Sequence, residues 1–360
     1  MIPLEYYAEN SRKEPDTSVN VFLDELLKLG QGERFLIYID QGSDPTLVNA
    51  VLVNAEKRNC KTEILKLDSG QSLADQAGQL SERIKNGGFD AICELSRQYF
   101  YHTLAWQTAR EMNARVYSIA GLNVDSFVRC VGDIDHEAMF QYGKLLMKAI
   151  GHSRSLRIFT KQGTDIRMQF SNMNLAGKVF NKVLNKPRSF VLPPDGLLSD
   201  HRQTSFLGGQ LVFNGVQPTI NGTAVIDGYL WPPSQIGLLD EPIILEIEKG
   251  KIVEIGGNPV KAKILRQWFN GQPIPVMHFC MGFNPGARLS GNILETERMM
   301  GGISVGIGRG AFHTDGIMKD PSIEIDQHII EENGSFKIRP IKAIERQEIE
   351  QKNRALTGTW

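Results

Sequence analysis

Residues 277–297 read MHFCMGFNPGARLSGNILETE, and residues 323–326, further along, read IEID. An imidazole followed by two acids at strand spacing, His278, Glu324 and Asp326, is a donor set that can hold a divalent metal such as iron, manganese or zinc. Successive strand residues point to opposite faces, so alternation tests whether these groups can meet. In PVMHFCMG, Met277, Phe279 and Met281 share one face and Val276, His278 and Cys280 the other. In GGISVGIG, Ile303, Val305 and Ile307 oppose Gly302, Ser304 and Gly306. In SIEID, Ile323 and Ile325 oppose Ser322, Glu324 and Asp326. Converging second faces would leave a hollow with one imidazole and two carboxylates, which repel each other unless a proton or cation lies between them. An ordinary sheet with a polar outer face satisfies the same pattern, and spacing leaves both readings open.

Three more side chains belong to the candidate site. His313 lies in GRGAFHTDG, between the glycine-rich strand and IEID, as a ligand, an acid/base group or an exposed residue. Histidine titrates near neutrality and suits proton transfer. Arg288, in NPGAR, can hold a substrate carboxylate with its forked donors, or pair with Glu295 or Glu297 to fix the turn. Ser304 is a substrate-binding candidate on the small face of GGISVGIG, a face that also suits packing under a helix.

The elements that must position these groups change character along the chain. RFLIYID, TEILKLD, FDAICELS and RVYSIA read as strands, separated by DPTLVNAVLVNAEKRN, SLADQAGQLSERIKN and YHTLAWQTAREMN, which have helical periods. Such alternation predicts an α/β domain over residues 1–150, a parallel sheet with helices on both faces. A further helix, about 136–150, leads out of it. No GxGxxG or GxxxxGK[ST] follows a strand, so nothing supports a phosphate-cradling loop. From about Ser155 short strands and Gly, Asn or Pro turns predict a β-rich domain, residues 151–360, carrying the site. Within it IILEIEKGKIVEI reads as a hairpin turning at Lys249 and Gly250, with Glu246 and Glu248 on a solvated face.

Composition limits the partners. With 360 residues and 41% hydrophobic content, the chain can bury two cores. Its 40 basic and 41 acidic residues offer no field for a nucleic-acid backbone. There is no apolar run approaching the roughly 20 residues that span a bilayer, and MIPLEYYAENSRKEPD lacks a secretory apolar region, so a cytoplasmic protein without a membrane partner is expected. The four cysteines are far apart and form no CxxC pair; Cys60 and Cys93 read as buried thiols.

The run GFNPGARLSGNILETERMMGGISVGIGRG, closed by IEID, resembles the metallo-aminopeptidase family typified by aminopeptidase T. SDPTLVNA, LEIEKGKI and the His278 region resemble dihydroxypyridine dioxygenase, a non-haem iron enzyme on the same fold. The aminopeptidase resemblance implies a peptide or amide hydrolase, with Glu297 as ligand or general base and a homodimer as the assembly. Its pattern would place a glutamate at His278, a histidine near Ser304, a tyrosine near Ala311 and Phe312, and a His-x-Asp at Glu324 and Asp326; Gln217 is nearest to an expected upstream glutamate. The dioxygenase resemblance implies two histidines and an aspartate on one metal. His278 and Asp326 match it, and Glu324 stands for the second histidine. A third expectation is a relic site without metal, whose cleft binds a peptide or partner protein.

Overall fold

The computed structural model describes residues 14–101, 103–171, 189–199 and 203–337; the opening run MIPLEYYAEN lies outside them. The chain divides into two compact units. The first takes Met1–Glu137, Asp195–Gly209 and Asn284–Met299, and the second takes Ala138–Pro194, Gln210–Phe283 and Met300–Trp360. The expected single division at residue 150 therefore differs from this interleaved one, in which later segments return to the first unit. Among the described residues no helix is long and apolar enough to cross a membrane.

The first unit contains a parallel sheet of β1 (Arg34–Ile39), β2 (Lys61–Lys66), β3 (Ala91–Glu94), β4 (Arg115–Ser118) and β8 (Thr204–Phe206), in the order β2-β1-β3-β4-β8. The chain steps from β1 to β2, then back past β1 to β3, which sends the crossover helices to opposite faces of the sheet. Phe35, Leu36, Ile37 and Tyr38 are buried in succession, as a strand covered on both faces requires. Local chemistry starts and stops the helices. Asp44 caps Pro45–Glu56 by accepting from Thr46 and Leu47 N–H, while Ser72 caps Leu73–Gly87, which ends at Gly88 with φ +57°. Strand β8 brings Phe206 into the core, stacked on Trp106 at 5.1 Å, and the Trp106 N–H donates to Tyr38 Oη at 3.1 Å.

In the second unit an eight-stranded sheet runs β14-β13-β10-β6-β5-β18-β19-β20. Its strands are β5 (Ser155–Phe159), β6 (Asp165–Gln169), β10 (Asn221–Ile226), β13 (Ile243–Glu248), β14 (Lys251–Gly257), β18 (Ser322–Ile325), β19 (His328–Glu332) and β20 (Ser335–Phe336). A seven-stranded sheet runs β12-β11-β17-β16-β15-β9-β7. It contains β7 (Phe190–Val191), β9 (Gln210–Asn214), β11 (Tyr229–Trp231), β12 (Gly237–Leu238), β15 (Val276–Gly282), β16 (Gly302–Ile307) and β17 (Thr314–Lys319). The β13–β14 hairpin turns at Lys249 (φ +49°) and Gly250 (φ +73°), the left-handed pair that a two-residue loop demands. Phe279, Val305 and Gly316 form one row across β15, β16 and β17, facing Ile226 of β10. That row is the apolar side of the seven-stranded sheet, and residues one step along each strand point away from it.

Candidate metal centre

The strand pairing places two chemically active side chains on that other side. His278 of β15 is registered with Gly306 of β16, and Gly306 with Asp315 of β17. Registered residues on antiparallel strands point to the same face, so His278 and Asp315 flank a glycine. The missing side chain lets them meet: a Cβ at Gly306 would overlap Nε2 of the His278 ring and lie 2.6 Å from its Cε1 and 2.7 Å from its Cδ2. His278 Nε2 reaches Asp315 Oδ1 at 3.0 Å.

His313 joins from the approach to β17. It follows the short turn Gly310–Phe312, whose Phe312 ring packs edge-on to Trp268 of the helix Pro259–Phe269 at 5.7 Å. Gly308, at φ +83°, lies too close to the Phe312 carbonyl and the Phe269 ring to carry a side chain, so the loop leading to the histidine is tightly folded. His313 Nε2 lies 3.2 Å from Asp315 Oδ2, leaving one imidazole on each carboxylate oxygen. One donor atom from each of His278, His313 and Asp315 lies within 4.8 Å of the others, and among the described residues this is the one such group of three. Their side chains are 23%, 31% and 14% exposed, so the cluster is half-buried and open on one side.

Burial alone would favour a neutral His278, but the Cys280 sulfur beside it and the Asp315 carboxylate outweigh burial and hold its pKa well above the ordinary range. Burial likewise opposes an ionised Asp315; the hydrogen bonds and charge of the two histidines overcome it and hold this carboxyl well below its usual range. The proton on His278 thus stands where a cation can take its place, and metal uptake would release it. A carboxylate with two imidazoles is the donor set of mononuclear non-haem iron sites, and also suits manganese or zinc.

The sequence profile of the 2,5-dihydroxypyridine 5,6-dioxygenases, NicX, matches residues 19–337. The chain belongs to the NicX family. No curated protein matches it in sequence. Among solved structures it is similar to 2,5-dihydroxypyridine dioxygenase from Pseudomonas putida KT2440, with a TM-score of 0.64 and 15% identity over 92% of this chain and 99% of the other. It is also similar to wild-type AmpT from Thermus thermophilus, with a TM-score of 0.59 and 11% identity over 90% of this chain and 99% of that one. At these identities the two structures establish the fold: a parallel sheet with helices joined to a β-rich part, as expected from the sequence.

Against the NicX resemblance, the structure assembles two histidines and an aspartate at a different address from the one expected. Glu324 and Asp326 do not join His278. The strand of Glu324, β18, belongs to the eight-stranded sheet, whereas His278 lies in the seven-stranded one. Asp326 has left the strand: with Gln327 it forms the left-handed turn between β18 and β19, at φ +45° and +70°. Its carboxylate accepts from Arg154 N–H and Ser155 N–H, both at 2.9 Å, and so ties that turn to the start of β5. The aspartate missed in the sequence is Asp315, two residues after His313 in HTDG; the signal was a His-x-Asp at strand spacing, obscured by glycines that suggest a loop. Gly316 is in fact a strand residue, its Cα side pressed close to Ile226.

The other expected site residues fall elsewhere. Glu297 lies in the first unit at the end of the helix Ile293–Thr296, with Arg298 at 3.8 Å. Arg288 has an exposed side chain; its N–H donates to Glu295 at 3.0 Å, and the guanidinium paired with Glu295 is that of Arg129, at 2.8 Å. Arg129 also donates to the Gly286 carbonyl, so NPGAR is held as a built turn. Ser304 does share the face of His278, but its hydroxyl is fully buried and has no partner among the described residues. Gln217 braces backbone, donating to Gly250 O and Val276 O at 3.2 and 3.3 Å.

Proposed function

We propose that this protein is a metal-dependent dioxygenase acting on a small hydroxylated aromatic ring of the dihydroxypyridine kind. The observation that carries the reading is the convergence of His278, His313 and Asp315 on one sheet face of a NicX-family chain. The donor set fits a single iron(II). Held there, the metal would supply the redox chemistry by which dioxygen and an electron-rich ring are brought to react. The protein's own part is positional. Asp315 supplies the negative charge, and the imidazoles of His278 and His313 meet it from two sides through Nε2. All three approach from one sheet face, which leaves the opposite side for substrate and oxygen. Gly306 keeps the floor beneath them low.

Peptide or amide hydrolysis, the reading that the aminopeptidase resemblance favoured, is less well supported. Two-metal hydrolysis calls for a second set of donors, and the described residues contain the single three-donor group. The test is calorimetric titration of metal-free protein with Fe(II), Mn(II) and Zn(II). His278→Ala, His313→Ala and Asp315→Ala should each abolish tight uptake, while Glu324→Ala should leave it unchanged. Undiminished uptake by Asp315→Ala would overturn the assignment.

A further inference from the structure

The row through the metal centre extends one strand further than the ligands. Trp231 of β11 is registered with Asp315 of β17, as Leu230 is with Gly316. Alternation sends Leu230, fully buried, to the apolar side and Trp231 to the side of His278 and Asp315. Across four adjacent strands the row reads Trp231, Asp315, Gly306, His278. Neighbouring strands lie about 4.8 Å apart, so the indole begins one strand spacing from the carboxylate.

Trp231 is half-buried, and its neighbours fix it there. Tyr229 and Leu230 are buried before it. After it, the Pro232 carbonyl accepts a hydrogen bond from the hydroxyl of Thr314, the residue between His313 and Asp315. The strand bearing the tryptophan is thus tied to the strand bearing the donors. Among the described residues the indole N–H donates to no acceptor, and no aromatic ring packs against this side chain, which leaves a polar tip and a ring face for a ligand. A large, rigid aromatic surface beside a ligand, with neither a hydrogen-bond partner nor a ring partner among the described residues, is placed to meet something that enters the site.

We propose that Trp231 is the substrate-selecting wall of the centre, its indole holding a planar hydroxylated aromatic ring beside the His278, His313 and Asp315 cluster. The proposal rests on the reading of that cluster as a metal site. It assigns to this chain a preference for flat aromatic ligands over aliphatic ones that bind metal equally well.

The experiment uses Fe(II)-loaded full-length protein under anaerobic conditions and two probes. 4-Nitrocatechol is a planar hydroxylated ring with a visible spectrum; acetohydroxamate offers two oxygens to a metal and no ring. Trp231→Ala should retain wild-type iron content and acetohydroxamate affinity, and should bind 4-nitrocatechol about tenfold more weakly. Trp231→Phe, which preserves a ring and the local packing, should recover most of that loss. Unchanged 4-nitrocatechol affinity in Trp231→Ala, or equal loss for both probes, would overturn the role of Trp231 while leaving the metal site standing. A wild-type protein that takes up no iron would instead overturn the metal reading, and this proposal with it.

Discussion

Replacing Gly306 by alanine adds one methyl group between the two strands that carry His278 and Asp315. The added carbon would overlap His278 Nε2 and sit 2.6 Å from Cε1, where ordinary contact begins near 3.4 Å, so the ring must retreat by more than about 0.8 Å. Asp315 cannot follow it, because Asp315 is anchored by pairing of β17 to both β16 and β11. His278 is 23% exposed and has room to swing outward, so the strain should be relieved by moving the ring. We therefore expect the fold to survive, with a stability loss of about 1–3 kcal/mol at most. Metal affinity should fall about 10- to 100-fold, as when groups that orient a ligand are disturbed. Calorimetric Fe(II) titration, paired with denaturant unfolding of the same samples, measures both quantities. Wild-type metal affinity in a well-folded Gly306→Ala protein would refute the inference that this glycine makes room for the ligand.

Other substitutions probe the surrounding structure. Glu94, fully buried in β3, has its pKa lifted by burial to about 7, against 4.5 for the ordinary carboxyl. Its contribution to stability is complete below about 4.5 and is lost as pH rises through about 7, a difference of about 3 kcal/mol that Glu94→Gln should flatten in urea denaturation between pH 5 and 8. Glu295→Ala would take away one of the two carboxylates paired with the buried Arg129, leaving Asp125 at 2.8 Å, and unfolding should become easier by about 1–3 kcal/mol. Asp326→Ala removes the acceptor of the Arg154 and Ser155 N–H groups; it should cost about 1–3 kcal/mol of stability in the same assay and leave metal titration unaltered.

Much of the frame was legible because local rules decide it. The apolar run RFLIYI, within a strand-helix alternation, reads as a strand and is one covered on both faces, and Lys249-Gly250 between alternating runs reads as the tight hairpin turn it forms. From His278 onward the faces assigned to PVMHFCMG and GGISVGIG agree with the observed pairing of His278 with Gly306 and Cys280 with Ser304, but a bulge between Val276 and His278 registers Val276 with Ile307 instead of with the His278 side. Which strands become neighbours is not local. Nothing in the order of the chain says that β17 lies between β11 and β16, or that β18 leaves for the other sheet. IEID satisfied a period of two, yet Asp326 sits at φ +45°, where the strand has already turned and alternation no longer applies. HTDG had the right spacing but a glycine after the aspartate, and only the close approach of Ile226 explains a glycine inside that strand. The late return of β8 to the first sheet was invisible for the same reason: three residues carry too little pattern to announce a partner more than eighty residues away.

The central claim, that His278, His313 and Asp315 hold a metal for oxygen-dependent attack on an aromatic ring, is tested most directly by oxygen consumption. Protein reconstituted anaerobically with Fe(II) would be mixed with 2,5-dihydroxypyridine and dissolved oxygen, following oxygen at an electrode and the ring by its ultraviolet absorbance, with Asp315→Ala in parallel. The account predicts that wild type consumes one oxygen molecule for each ring lost and that Asp315→Ala does neither. Wild type that holds iron and binds the ring, yet consumes no oxygen and leaves the ring absorbance intact, would contradict it.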